Sequence, residues 1–216
     1  MAPRWKLLLA IAPTILVLDQ WSKFLAIKHL TPGLALAHTE ATGEDNPGLE
    51  GIGLPTQIRY FYTSTENPCS RPGSHCPTLR LIDKRWHWSY AENPGAAWSI
   101  LASAGKNIRV PFFLSVSILA MVLIVWFYRR LAPGQHLLLI ALALVLGGAV
   151  GNFVDRARLF YVIDFIVWYI GTYRWPTFNV ADSAISTGVG LIVLDSILDF
   201  WRRKNEAEEP DSQPAA

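Results

Sequence analysis

The chain has 216 residues, 51% of them hydrophobic and only 17% charged, with a formal net charge of +2. That charge is too small and too scattered to recruit nucleic acid. The apolar residues come in long blocks, which a soluble domain does not carry, so the class is a polytopic membrane protein.

The first block, residues 5–28, reads "WKLLLAIAPTILVLDQWSKFLAIK". It is long enough to cross a bilayer core, which needs about 20 apolar residues. Arg4 and Lys6 before a short apolar stretch resemble a secretory signal. No small-residue cleavage site follows cleanly, and apolar character resumes after Asp19 as "FLAI", so the segment is read as a retained first span. A long external segment, residues 29–107, comes next. It contains both cysteines, Cys69 and Cys76, in the turn-rich stretch "ENPCSRPGSHCP". A disulfide is open to them in an oxidising compartment, whereas the spacing is no zinc signature, even with His75 between them. Further spans are predicted at 108–128, 136–154 and 180–201. A short outer loop, 155–179, joins the last two. Residues 1–204 are expected to form one four-helix membrane domain, and the polar tail 205–216 to be disordered.

Short flanks carry Arg4 and Lys6, Arg129 and Arg130, and Arg202, Arg203 and Lys204. With four spans these fall on one side, which the positive-inside rule makes cytoplasmic together with both termini. Arg156, Arg158 and Arg174 in the short outer loop run against the rule, a conflict that eases if Arg156 is held in a polar site. Asp195 and Asp199, one turn before the basic cluster, read as interfacial anchors.

At about 1.5 Å per residue, Asp19 stands roughly 21 Å and Lys23 roughly 27 Å above the cytoplasmic end of the first span. Asn152 and Asp155 stand at roughly 24 and 28 Å on the third span, and Asp182 at roughly 30 Å on the fourth. Three helices thus bring ionisable residues to one level, near the outer boundary of the hydrocarbon. Asp19 and Lys23 are four residues apart, as are Asn152 and Arg156, so each set shares a helix face. Gly147, Gly148 and Gly151 let a neighbouring helix approach below this layer. Charges inside a membrane are costly and point to function.

The outer loop adds Asp164 in the apolar context "VIDFIVW", while Asn179 is placed to cap the fourth span. Two close carboxylates cannot both ionise easily, so they share a proton. The ionised member activates water as a base, and the protonated member polarises a carbonyl and protonates the leaving amine. No G-x-S-x-G, H-E-x-x-H or P-loop occurs. The residues alone leave open whether Asp155 or Asp164 partners Asp182. A divalent cation is a weaker use of the acids, since no His cluster accompanies them.

The pieces "DQWSK" at 19–23, "ENPGAAWS" at 92–99, "GGAVGNFVDR" at 147–156, "VIDF" at 162–165 and "FNVADS" at 178–183 occur together in this order. In these the chain resembles the bacterial lipoprotein signal peptidases (signal peptidase II), intramembrane aspartic proteases. The resemblance runs from the first span to the last. It implies an all-α membrane protein of four transmembrane helices with a small β-rich cradle outside, in the bacterial cytoplasmic membrane. It implies removal of signal peptides from diacylglyceryl-modified prolipoproteins, with cleavage just before the lipid-bearing cysteine. It makes Asp164 and Asp182 the catalytic dyad and Asp19, Lys23, Asn93, Asn152, Asp155, Arg156 and Asn179 its supports. No cofactor or metal is expected, and the partners are the lipidated precursor and membrane lipid, acting on a monomer. Asp155, next to Arg156, then reads as an ion-paired orienting group. The external segment at 38–88 exceeds the family's usual connection and is expected to cap the site, restrict substrates or bind a partner. Trp98 is placed for either a lipid contact or the aromatic belt.

Two rivals use the same residues. An ion-coupled carrier would want internal repeats and a polar layer at the midplane, and neither is seen. A non-catalytic chaperone for lipoproteins would bind such precursors without cleaving them.

Overall fold

The structure, a computed structural model, describes residues 3–44, 49–64, 67, 69, 76–95, 105–132 and 134–208. Four long helices dominate: α1 (Pro3–Leu30), α4 (Lys106–Arg130), α5 (His136–Leu159) and α6 (Val180–Glu208). Each contains a stretch long and apolar enough to cross a membrane. All exceed the predicted spans, because a helix need not stop where the hydrocarbon stops. α5 therefore still carries Asp155 and Arg156, and α6 runs past residue 205, where a disordered tail was expected. The rest of that tail, 209–216, lies outside the described residues, as does Trp98.

Glycines set the helix spacing. A Cβ at Gly147 would stand 2.8 Å from the Ala12 carbonyl of α1, and one at Gly188 would stand 2.6 Å from the Ala141 carbonyl of α5. Only a bare Cα allows backbones this close, which suits association in lipid, where packing rather than the hydrophobic effect drives contact. α5 thereby becomes the central helix, lying against α1, α4 and α6. The outer faces of α4 and α6 stay apolar and exposed, as Leu119, Val122 and Phe200 show.

Among the described residues, the segment expected to be external is more ordered than its turn-rich sequence suggests. It folds into α2 (Gly33–Thr42), α3 (Leu54–Thr63) and a hairpin of β1 (Thr78–Ile82) and β2 (Trp86–Asn93). Cys69 and Cys76 are joined in a disulfide. Phe61 of α3 and Leu34 of α2 enter a buried cluster with Phe24, Ile27, Leu159 and Ile163. The described part of this segment is thus built onto the C-terminal ends of α1 and α5.

Phe160 takes a left-handed conformation (φ 71°) and its N–H caps the Arg156 carbonyl, so α5 stops and the chain turns into β3 (Val162–Ile170). β3 pairs with β2 on one side and with the short β4 (Tyr173–Arg174) on the other, giving an antiparallel sheet in the order β1-β2-β3-β4. A bridge between Ile166 and Phe178 then ties the start of α6 to β3.

Candidate active site

Asp182 owes its place to the way α6 begins. The Asn179 Oδ1 accepts from the Asp182 N–H at 2.9 Å, and the Asp182 Oδ2 accepts from the Asn179 N–H at 3.2 Å. This reciprocal pair is a capping box, which satisfies backbone donors left over at a helix start. The Ala181 N–H donates to Asp19 Oδ1 at 2.9 Å. Two carboxylates therefore face the positive end of the α6 dipole.

Asp164 arrives from β3 in the partly apolar strand "VIDF" and is 2% exposed. Asn93, at the end of β2, donates to its Oδ2 at 3.0 Å, and Asn179 donates to its Oδ1 at 2.7 Å. Burial, and next the charge of Asp182, push its carboxyl from the ordinary 3.8 up to about 7. The two acids thus act on one another electrostatically at the end of the bundle where β3 meets the start of α6.

Two asparagines join them. The Asn152 Nδ2 donates to Asp182 Oδ1 at 2.8 Å, and its Oδ1 accepts from Asn179 Nδ2 at 3.1 Å and from Lys23 Nζ at 3.2 Å. Only this orientation puts the amide N–H toward the carboxylate and the carbonyl toward the ammonium. Asp164, Asn179, Asn152 and Asp182 form one hydrogen-bonded chain across three elements.

Below it lies a clamp of charges. Lys23 Nζ contacts Asp19 Oδ2 and Asp155 Oδ2 at 2.8 Å each, with all three side chains wholly buried. Asp155 Oδ2 also accepts from the Ile163 N–H at 3.1 Å, and Gln20 Nε2 donates to Asp155 Oδ1 at 3.0 Å and Asp19 Oδ2 at 3.2 Å. Every charge in the clamp has a partner and further hydrogen bonds, the condition under which buried ions are tolerated. Gly151 makes the room, because a Cβ there would meet Asp19 Oδ2 at 2.5 Å.

The acids are engaged by amides, backbone N–H groups and Lys23. Among the described residues no group of three or more His, Cys, Asp or Glu side chains is placed to hold a metal ion.

A family model described as signal peptidase (SPase) II matches residues 11–198. The chain belongs to the signal peptidase II family. It is 40% identical, over 88% of its length and 84% of the relative's, to the lipoprotein signal peptidase of an Anaeromyxobacter strain. It is 46% identical to that of Geobacter sulfurreducens, over 58% of this chain and 78% of the relative. Two solved structures of bacterial membrane enzymes share its fold. One has a TM-score of 0.60 at 24% identity, covering 96% of this chain and 94% of that one. The other has a TM-score of 0.56 at 26% identity, covering 87% and 90%. Membership of signal peptidase II makes this a multi-pass membrane peptidase of bacterial type.

Eight of the nine residues singled out for the site meet in the network just described, and Arg156 stands beside it, its Nη1 donating to the Asn152 carbonyl at 3.5 Å. The ion pairing differs from expectation in one respect. Asp155 pairs with Lys23 across two helices, while its neighbour Arg156 points away, with NH2 donating to the Gly95 carbonyl at 3.2 Å and the guanidinium 5.2 Å from the Phe113 ring. Adjacent helical residues lie about 100° apart and cannot face each other. Asp19 and Lys23 do form the expected pair on one helix, but as part of this larger clamp. Gln20 was missed. It sits one residue off the Asp19–Lys23 stripe, and only its three contacts to α1 and α5 reveal it.

Proposed function

We propose that this signal peptidase II is an intramembrane aspartic endopeptidase that removes signal peptides from diacylglyceryl-modified prolipoproteins, cleaving before the lipidated cysteine. Asp164 and Asp182 share one proton and hold a water between them. The observation that carries this reading is the hydrogen-bonded chain Asp164–Asn179–Asn152–Asp182, together with a carboxyl at Asp164 raised to about 7.

The division of labour follows from the surroundings. Asp182, to which Asn152 and the Asn179 N–H donate at the helix start, is the member that draws the proton from water. Asp164 holds its proton near neutral pH and donates it to the oxygen of the scissile carbonyl. Water attacks the carbonyl carbon, its proton passing to Asp182. The tetrahedral intermediate collapses as the C–N bond breaks and the amine takes a proton from the dyad. The peptide's apolar signal segment lies in lipid beside the helices, with the scissile bond at the polar layer. Lys23, Asp19 and Asp155 are positioning groups that fix Asn152 and the start of α6. Both termini face the cytoplasm by the positive-inside rule, which sets the dyad at the outer leaflet of the cytoplasmic membrane of a monomer.

The test is a gel-shift assay on a purified diacylated precursor. Wild type should release the signal peptide, while Asp164→Asn and Asp182→Asn should insert normally and release none. Turnover by either variant at the wild-type rate would remove the dyad assignment.

A further inference from the structure

A small cavity of about 20 Å³ lies where α3 packs on the C-terminal ends of α1 and α5. Ile27 and Leu34 line it from the α1–α2 corner, Tyr60 and Ser64 from the end of α3, and Arg158 from the end of α5. A space of about 10–15 Å³ takes one water, so the cavity has room for a body of that size. Arg158 is the only charged residue in its wall among the described residues. The guanidinium is already engaged on two sides. Its Nη1 donates to the Phe61 carbonyl, and its plane lies over the Phe61 and Tyr62 rings at 4.3 and 4.9 Å. The remaining edge carries Nε and Nη2. Both atoms are buried, and neither has a hydrogen-bond partner among the described residues. Asp155, three residues back on α5, is held by Lys23, Gln20 and the Ile163 N–H.

We propose that this cavity binds one small monovalent anion, of the size of chloride, on the Nε–Nη2 edge of Arg158. Charge is the first reason. A buried donor without a partner costs the whole of its desolvation, and a buried charge without a partner costs more. A water accepts the two hydrogen bonds but leaves the positive charge uncompensated, whereas an anion answers both. Geometry is the second. The Nε and Nη2 N–H groups run side by side along one edge of a rigid planar fork, which grips an acceptor by two bonds. Size is the third. One water-sized body fits, and a tetrahedral oxyanion such as sulfate or phosphate does not. The anion stands between Arg158 of α5 and the Tyr60–Ser64 end of α3, so it fastens α3 to the bundle. The site is apart from the dyad. Ile163 lines the cavity too, but its N–H donates to Asp155 and its carbonyl accepts from Asn179, so the clamp and the cap stand between.

The experiment uses the full chain in one detergent, with sodium chloride, bromide, gluconate and sulfate compared at equal ionic strength. Thermal midpoints should rise saturably in chloride and bromide relative to gluconate. At ten times its dissociation constant a ligand shifts the folding equilibrium about 11-fold, which for a chain of this size is a rise of about 3–6 °C. Limited trypsin digestion reads the place. Arg59 is exposed on α3, and cutting there requires α3 to open locally. That cut should slow several-fold in chloride, while the cut after the exposed Lys204 of α6 keeps its rate. Arg158→Met removes the charge and both donors, and should abolish the difference between chloride and gluconate in both readouts. Should that variant fail to fold, the wild-type salt series decides by itself. Equal midpoints in chloride and gluconate would overturn the proposal, because water alone then fills the cavity. A rise largest in sulfate would overturn it too, since that is the order of exclusion from the protein surface. A chloride effect that leaves the Arg59 cut unchanged would do the same, by placing the anion elsewhere. No readout depends on peptidase activity, so a failure here is distinct from a failure of the dyad.

Discussion

Replacing Lys23 by Met tests the charge clamp directly. The side chain is wholly buried and its ammonium lies 2.8 Å from both Asp19 and Asp155. Its removal leaves two buried carboxylates facing each other across the space it vacates. Breaking one buried ion pair from one side costs about 3–5 kcal/mol, because the remaining charge is stranded. Here the residual donors soften the loss: Asp19 keeps the Ala181 N–H, Asp155 keeps the Ile163 N–H, and Gln20 serves both. The expected destabilisation therefore stays near about 3–5 kcal/mol although two acids are involved. At about 2–4 °C per kcal/mol for a chain of this size, the midpoint should fall by about 6–20 °C. The assay is thermal unfolding in one detergent, followed by intrinsic tryptophan fluorescence. A triple variant, Asp19→Asn, Lys23→Met and Asp155→Asn, removes all three charges and should regain most of the lost stability. If the single variant loses less than about 1 kcal/mol, or the triple variant is the least stable of all, the clamp is not the energetic element described.

Asp164 binds its proton more tightly in the folded protein than in the unfolded chain, with its carboxyl raised from 3.8 to about 7. Its contribution to stability is therefore present below pH 4 and lost as pH rises toward 7, and this falling limb should disappear in Asp164→Asn. Peptide cleavage should decline above about pH 7 as Asp164 gives up its proton, which a rate profile on the diacylated precursor would register. Gly151→Ala forces a methyl against Asp19 and should cost about 1–3 kcal/mol, measured in the same unfolding assay. Replacing Cys69 and Cys76 by Ser opens a loop whose ends are 7 residues apart, and loop entropy puts the loss at about 2.5 kcal/mol. That loss should appear as faster proteolysis of the external segment, with cleavage of the precursor retained. Asn179→Ala removes the cap of α6 and a donor to Asp164, so it should lower stability by about 0.5–2 kcal/mol and also slow cleavage.

Much of this molecule could be read from its residues because a bilayer is a demanding solvent. Twenty apolar residues in a row have one use, and a charge among them has few, so the four spans and the shared depth of Asp19, Asn152, Asp155 and Asp182 came from counting. The helix start at Asn179 was legible for the same local reason, since a cap is a matter of neighbouring residues. What counting could not supply was any contact that depends on how helices rotate about their axes. That Lys23 bridges Asp19 to Asp155 and that Gln20 joins the clamp follow from the packing of α1 against α5, and that Arg156 turns to Gly95 follows from the rotation of α5. The link between the two acids likewise needed β3 to pair with Phe178, which brings Asn179 to Asp164 from 15 residues away in sequence. The external segment was the least legible part. Its turn residues hid α3, whose place is decided by the C-terminal ends of α1 and α5, where apolar side chains such as Phe24 and Leu159 must be covered. Local physics and the bilayer set which residues lie at which depth, and only tertiary packing decided which of them touch.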